Sequence, residues 1–228
     1  MKSYKLYIVT LSALLIISAC KLDNYDAPSA TLYGAFIDAE RGGLVEQDII
    51  RGTTIEYVEA GYAAKAKEYM VVKNDGTYRN TMLFPNHYEV TPVRGNFAAI
   101  APQEINISGQ TKLDFAVLPY IRVKDLDIRK EGTRIVATFK LQQTIGKPVS
   151  RVGIYAHPDM SVGASLHTAL VEKNINAVAD SNQVFTLELD IAATPSLTTG
   201  KPYFFRVGAL IDVPEAKFNY AKAVRLTP

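Results

Sequence analysis

The chain has 228 residues, with 25 basic and 23 acidic side chains, three histidines, no tryptophan and a single cysteine. That length allows one large or two small domains, and the near balance of charge argues against non-specific nucleic-acid binding, which needs a basic surface. One cysteine excludes an intrachain disulfide, a thiolate metal site and a second sulfur for redox chemistry.

The chain opens with Lys2 and Lys5, followed by an apolar run from Leu6 to Ile17. The run is too short for a membrane helix and fits the core of a signal peptide. Ile17-Ser18-Ala19-Cys20 reads as a lipobox, with small residues that lie extended in a peptidase site. Residues 1–19 are therefore expected to be a signal peptide, and Cys20 the lipidated first residue of the mature protein. Two or more acyl chains would make the anchor stable. Loss of Lys2 and Lys5 leaves the mature chain with equal numbers of basic and acidic side chains. Residues 20–29, polar and acidic with no periodicity, read as a tether.

From Ala30 onward, strand signals dominate. Leu32, Gly34 and Phe36 alternate with Tyr33, Ala35 and Ile37, and Thr54 to Val58 repeats the pattern. Period-two alternation of β-branched and aromatic residues marks half-buried strands. Asn74-Asp75-Gly76, between Val71-Val72 and Tyr78, predicts a hairpin turn, because glycine takes the positive φ a tight turn needs. Thr111 to Leu118 places Leu113, Phe115 and Val117 on one face. Pro119-Tyr120 closes this block, and no flexible linker follows, so the two halves are expected to pack directly.

The second block predicts strands at Ile121 to Ile128, Thr133 to Leu141, Arg151 to Ala156, Gln183 to Asp190, Tyr203 to Ile211 and Ala221 to Leu226. Ser165 to Ile175 is the one stretch with a helical reading. The expected fold class is all-β, as two tandem β-sandwiches covering residues 30–120 and 121–228. Leucine at 197 and tyrosine at 203, ahead of an alternating strand, match the tyrosine corner of fibronectin type III-like sandwiches.

Catalytic and metal signatures are sparse. His87, His157 and His167 share no short ligand spacing. No nucleophile elbow, dinucleotide loop or phosphate loop is present, and Asp38-Ala39-Glu40 reads as a pair of turn acids. Asp125 and Asp127 fall on one strand face, solvated. Neither a metal, a cofactor nor an enzymatic activity is expected. Sugar binding needs exposed aromatic faces, on which pyranose C–H groups stack while hydroxyls bond polar neighbours. Tyr62 and Tyr69 flank the polar stretch Ala63 to Glu68, and Tyr220 falls in the segment Phe218-Asn219-Tyr220, read as a loop. These three tyrosines are the candidate glycan-binding residues.

Gly76-Thr77-Tyr78 and Pro85-Asn86-His87-Tyr88-Glu89-Val90 stand as in the carboxypeptidase regulatory-like, transthyretin-like sandwich, which the first block resembles. With Asp23 to Pro28, Leu32-Tyr33-Gly34, Asn80 to Pro85 and Asp114 to Tyr120, the chain as a whole resembles a family of two-domain Bacteroidetes outer-membrane lipoproteins of unknown function. That resemblance implies company with a TonB-dependent glycan importer and its SusD-like lipoprotein. In Bacteroidetes, a lysine and acidic residues just after the lipidated cysteine, as in Lys21 to Asp26, mark display on the cell surface. The expected role is glycan capture, with the lipid holding the protein to the membrane and loops of the distal domain offering a binding face. The alternative is an adaptor that binds the importer without touching sugar.

Overall fold

A computed structural model describes residues 26–228; Cys20 and the signal segment lie outside the described residues. The described chain is all-β, without a helix.

The first block holds β1 (Ala30–Asp38), β2 (Thr54–Glu59), β3 (Lys67–Val71), β4 (Thr77–Leu83), β5 (Asn86–Val93), β6 (Gln103–Ile107), β7 (Gln110–Lys112) and β8 (Phe115–Val117). One sheet centres on β1, which pairs antiparallel with β4 and parallel with both β7 and β8. The facing sheet has the order β3-β2-β5-β6. Alternation decides which side chains meet between them. Leu32 and Phe36 face Ile55, Met70, Tyr88 and Val90, all buried. Phe36 stacks on Phe97 and Phe115 at centroid distances of 5.1 and 5.2 Å. Gly34 is required by a close approach, since a Cβ there would stand 1.8 Å from the Leu113 carbonyl oxygen. That carbonyl accepts a hydrogen bond from the Tyr78 hydroxyl at 2.5 Å.

The Asn74-Asp75-Gly76 turn is tight, with Gly76 at φ 83° and its N–H donating to the Lys73 carbonyl. It does not join a hairpin, however. Strands β3 and β4 belong to different sheets, so the turn is a corner between layers. The facing hydrophobic sets of Met70 and Tyr78 can both be buried only if the chain changes sheet there.

The second block holds β9 (Ile121–Glu131), β10 (Arg134–Gln143), β11 (Val149–His157), β12 (Ala169–Ala177), β13 (Phe185–Asp190), β14 (Tyr203–Ile211), β15 (Asn219–Tyr220) and β16 (Val224–Leu226). Its sheets are β13-β10-β9 and β12-β11-β14, with β15 and β16 both paired to β14 as a broken last strand. Ile135, Phe139 and Leu141 of one sheet pack on Val152, Ile154, Phe205 and Val207 of the other. The tyrosine corner forms: the Tyr203 hydroxyl donates to the Ser196 carbonyl at 3.1 Å and accepts the Thr198 N–H at 3.0 Å. The helical reading of Ser165 to Ile175 is corrected. Residues 169–177 are the edge strand β12, paired antiparallel with β11. Good helix formers such as Ala169, Leu170, Glu172 and Lys173 misled the local reading, and sheet pairing overrides that weak propensity.

The two blocks meet through buried polar side chains. Arg206 of β14 is fully buried. It donates to the carbonyls of Gln47, Asn74, Val162 and Ala221 and to Glu46 Oε2 at 2.6 Å, with its guanidinium 4.3 Å from the centre of the Tyr220 ring. Arg122 of β9 donates to Asp38 and to Glu40 Oε2. The Asn96 amide donates to the carbonyls of Glu46 and Phe218, and Asn219 donates back to the Asn96 carbonyl at 2.8 Å.

Candidate functional site

β1 runs from Ala30, paired with Leu83, to Asp38 at the domain junction. Eight strand steps separate the ends by about 26 Å. Beside Leu83, the partner of Ala30, a cavity of about 440 Å³ opens, lined from both sheets. A volume of this size is ordinary for a small-molecule site.

Each wall follows from local sequence. On β2, Tyr57 and Glu59 point to the same inward face as Ile55, because side chains alternate. Glu68 of β3 stands directly across from Tyr57, and Tyr88 of β5 is opposite Glu59. The other wall is Met82, Leu83 and Phe84 at the end of β4. The loop of residues 60–66 arches over the mouth, turning at Gly61 with φ 93° and tied down where the Ala60 N–H donates to the His87 carbonyl. Four alanines in that loop offer little bulk, so Tyr62 projects, 64% exposed. Phe84 is 41% and Met82 69% exposed beside it.

The polar groups are placed for hydroxyl recognition. Asn80 reaches across from the first sheet and donates to the Tyr57 hydroxyl at 3.3 Å. Asn86 donates to Glu59 Oε1 at 2.9 Å, and the Tyr88 hydroxyl donates to the Phe84 carbonyl at 2.9 Å. Burial pushes the Tyr57 hydroxyl above its ordinary value and that of Tyr88 up to about 12. Both therefore stay protonated near neutral pH. Tyr57, already an acceptor, keeps its own proton for a ligand oxygen. The lining carries two carboxylates and no cation. It suits a neutral, hydroxyl-rich molecule with an apolar face, and disfavours an anion.

On the other side of the loop, Glu59 and Tyr62 also border a polar depression with Lys65, His87 and Glu104. There His87 Nε2 lies 2.7 Å from Glu104 Oε2 and Nδ1 lies 2.9 Å from Asn106 Oδ1. Those partners hold His87 above its ordinary pKa, the Asn106 contact most. Among the described residues, no cluster of His, Cys, Asp or Glu has the geometry of a metal site.

The three expected tyrosines fare differently. Tyr62 lines the cavity. Tyr69 does not, because on β3 it points away from Met70 to the outer face, where its hydroxyl donates to Glu56 Oε2 at 3.1 Å. Tyr220 is corrected. It lies in strand β15, 7% exposed, stacked on Phe218 at 5.7 Å and under Arg206, with its hydroxyl donating to Asp48 at 3.2 Å. Phe218 and the Arg206 guanidinium pack on the ring, so little of it is left for a sugar to stack on. Burial holds its hydroxyl well above the ordinary tyrosine range. The structure adds Tyr57, Phe84 and Tyr88. Alternation in the sequence places Tyr57 and Tyr88 inward; only the approach of the β4 end makes an inward position the wall of a mouth.

Two family profiles cover the chain: "Protein of unknown function (DUF3823) N-terminal domain" matches residues 30–118, and "Domain of unknown function (DUF3823_C)" matches residues 121–225. A Bacteroides uniformis structure described as that of a candidate carbohydrate-binding protein is similar at 32% identity and TM-score 0.79, over 88% of this chain and 100% of that one. A DUF3823 family protein from Parabacteroides merdae superposes with TM-score 0.77 at 21% identity, over 89% of this chain and 100% of that one. Another, from Bacteroides ovatus, does so with TM-score 0.74 at 22% identity, over 87% and 98%. No curated protein matches the chain. Matched across both domains, the chain belongs to the two-domain DUF3823 family.

Proposed function

We propose that this protein is a non-enzymatic, lipid-anchored glycan-binding accessory of polysaccharide capture, and that the cavity under Tyr62 is its sugar site. The observation that carries the reading is the lining itself: Tyr57, Tyr62, Phe84 and Tyr88 with Glu59 and Glu68. Exposed rings give stacking faces, while carboxylates and tyrosine hydroxyls serve sugar hydroxyls. The carbohydrate-binding description of the Bacteroides uniformis relative supports it.

A binding role fits these carboxylates better than hydrolysis does. Glycosidases set two carboxyl groups on either side of the scissile bond. Glu59 and Glu68 project from neighbouring strands of one sheet, so both stand on the same wall. With Cys20 lipidated at an outer membrane, a tether of residues 20–29 reaches at most about 35 Å. The cavity opens beside Ala30, where that tether meets the fold, so a bound glycan would be held on the membrane side of the molecule. Tethering next to a TonB-dependent importer and a SusD-like lipoprotein would raise local concentration, so modest affinity would suffice.

Affinity electrophoresis of the mature protein against a panel of neutral polysaccharides tests this. Retardation by at least one polysaccharide, lost in Tyr62→Ala and kept in Tyr69→Ala, is expected. Migration unaffected by every polysaccharide, with an importer complex co-purifying, would instead favour the adaptor role.

A further inference from the structure

A second cavity lies where the first domain's residues 48–51 approach the outer face of the β12-β11-β14 sheet. Its volume is about 380 Å³. It differs from the first in charge. Arg51, Arg151, Lys217 and His167 face it, with Asp48 and Glu172 as its carboxylates. Both carboxylates are already committed. Asp48 accepts the N–H groups of Ile50, Arg51 and Ser165 and the Tyr220 hydroxyl. Glu172 accepts the Tyr155 hydroxyl at 2.7 Å and Arg151 Nη1 at 3.3 Å.

Beyond that Arg151–Glu172 pair, the cations are not matched in this way. Arg51 and Lys217 form no ion pair among the described residues. Arg151 lies over Phe218 at 5.3 Å, and its buried Nε–H has no acceptor among the described residues. A buried donor without a partner is uncommon in a folded protein and points to a group yet to be bound. Leu170, Leu210 and Phe218 add an apolar wall against which ring C–H groups can rest.

We propose that this junction cavity is a second binding site, for an anionic saccharide whose carboxylate or sulfate is taken by Arg51, Arg151 and Lys217. Guanidinium groups bind such oxyanions through paired N–H donors. Arg51 comes from one domain and Arg151 and Lys217 from the other, so the ligand bridges the junction. The proposal goes beyond the sugar site under Tyr62 and does not depend on it: the two sites have opposite charge and share no residue.

Calorimetric titration of the mature protein with a galacturonic acid trisaccharide, a sulfated galactose disaccharide, a neutral galactose trisaccharide and inorganic sulfate tests this. Binding of either acidic sugar, at least about tenfold tighter than inorganic sulfate, is expected. Uronate binding identifies a carboxylate as the recognised group, and sulfated-sugar binding identifies a sulfate; each supports the site. Lys217→Glu and Arg51→Glu should each weaken it at least about tenfold, while Tyr62→Ala leaves it unchanged. The two charge-reversed side chains make no ion pair, so the variants are expected to fold, as wild-type melting temperatures would verify. Failure of both acidic sugars to bind, sulfate binding as tightly as either, or loss of acidic-sugar binding in Tyr62→Ala would each overturn the proposal without touching the neutral-glycan site.

Discussion

The two ends of β1 treat polar side chains in opposite ways. At the Asp38 end, a set of buried side chains is committed within the protein: Arg206, Arg122, Asn96 and Asn219 join one domain to the other through buried hydrogen bonds. At the Ala30 end, Tyr62, Met82 and Phe84 stand exposed, and the Tyr57 hydroxyl accepts the Asn80 amide. The difference separates architecture from recognition. Buried polar groups stabilise only when matched, and these side chains are matched to one another across the junction. The open end leaves its rings exposed. Substitutions of the buried junction side chains Arg206, Arg122 and Asp38 should therefore cost stability and spare neutral-glycan binding, and those at the open end should do the reverse.

The largest effect is expected at Arg206. Arg206→Met leaves Glu46 buried without its cation and takes the Arg206 donor from four carbonyls, of which only that of Asn74 is shown keeping another, the Gln47 N–H. Removing one partner of a buried pair costs about 3–5 kcal/mol, read as a fall in the chemical-denaturation midpoint. A midpoint unchanged within error would break the claim that the junction is held by this side chain.

Next comes Asp38, which the Arg122 hydrogen bonds hold below the ordinary carboxylate range. A carboxyl depressed in the folded state contributes stability above its unfolded pKa of about 3.9 and loses it as pH falls through the folded value. Asp38→Asn should cost about 2–3 kcal/mol at neutral pH, since Glu40 still pairs with Arg122. The gap between variant and wild type should narrow progressively below about pH 4. Melting curves from pH 7 downward check this; a gap constant with pH would contradict it.

The tyrosine corner is a smaller, local term. Tyr203→Phe removes a hydroxyl that bridges Ser196 and Thr198 and is expected to cost about 1–2 kcal/mol with no effect on either ligand. Smallest in stability is Tyr62→Ala. An exposed ring supports no core, so its unfolding free energy should shift by less than about 0.5 kcal/mol, while neutral-glycan retardation disappears.

The alternation at Leu32 to Phe36 and at Tyr203 to Ile211 was sufficient to place those strands and their buried faces, because period two is a local property. Leu197 and Tyr203 likewise announced the corner. The β12 strand escaped the same reasoning, since its residues favour a helix in isolation and only β11 decides otherwise. The Asp75-Gly76 turn was visible as a turn, but its role as a corner between sheets depends on where Met70 and Tyr78 find partners. Tyr220 shows the limit most plainly. Its short segment reads as loop, yet Arg206, Asp48 and Phe218, far apart in sequence, enclose it. Arg206 itself sits among alternating apolar residues with nothing local to mark it as the junction's central donor. Tyr62 is legible in the sequence as a ring flanking the polar stretch Ala63 to Glu68, a signal that points equally to Tyr69, which faces the other way. Tyr57, Phe84 and Tyr88 come together only through the pairing of β2 with β5 and the approach of the β4 end.

Hydrogen–deuterium exchange of the mature protein, with and without a neutral polysaccharide that retards it, tests the location of the sugar site most directly. Protection confined to residues 57–68 and 80–88 is the expected result. Protection confined to the second domain, or an exchange pattern unchanged by the glycan, would contradict it.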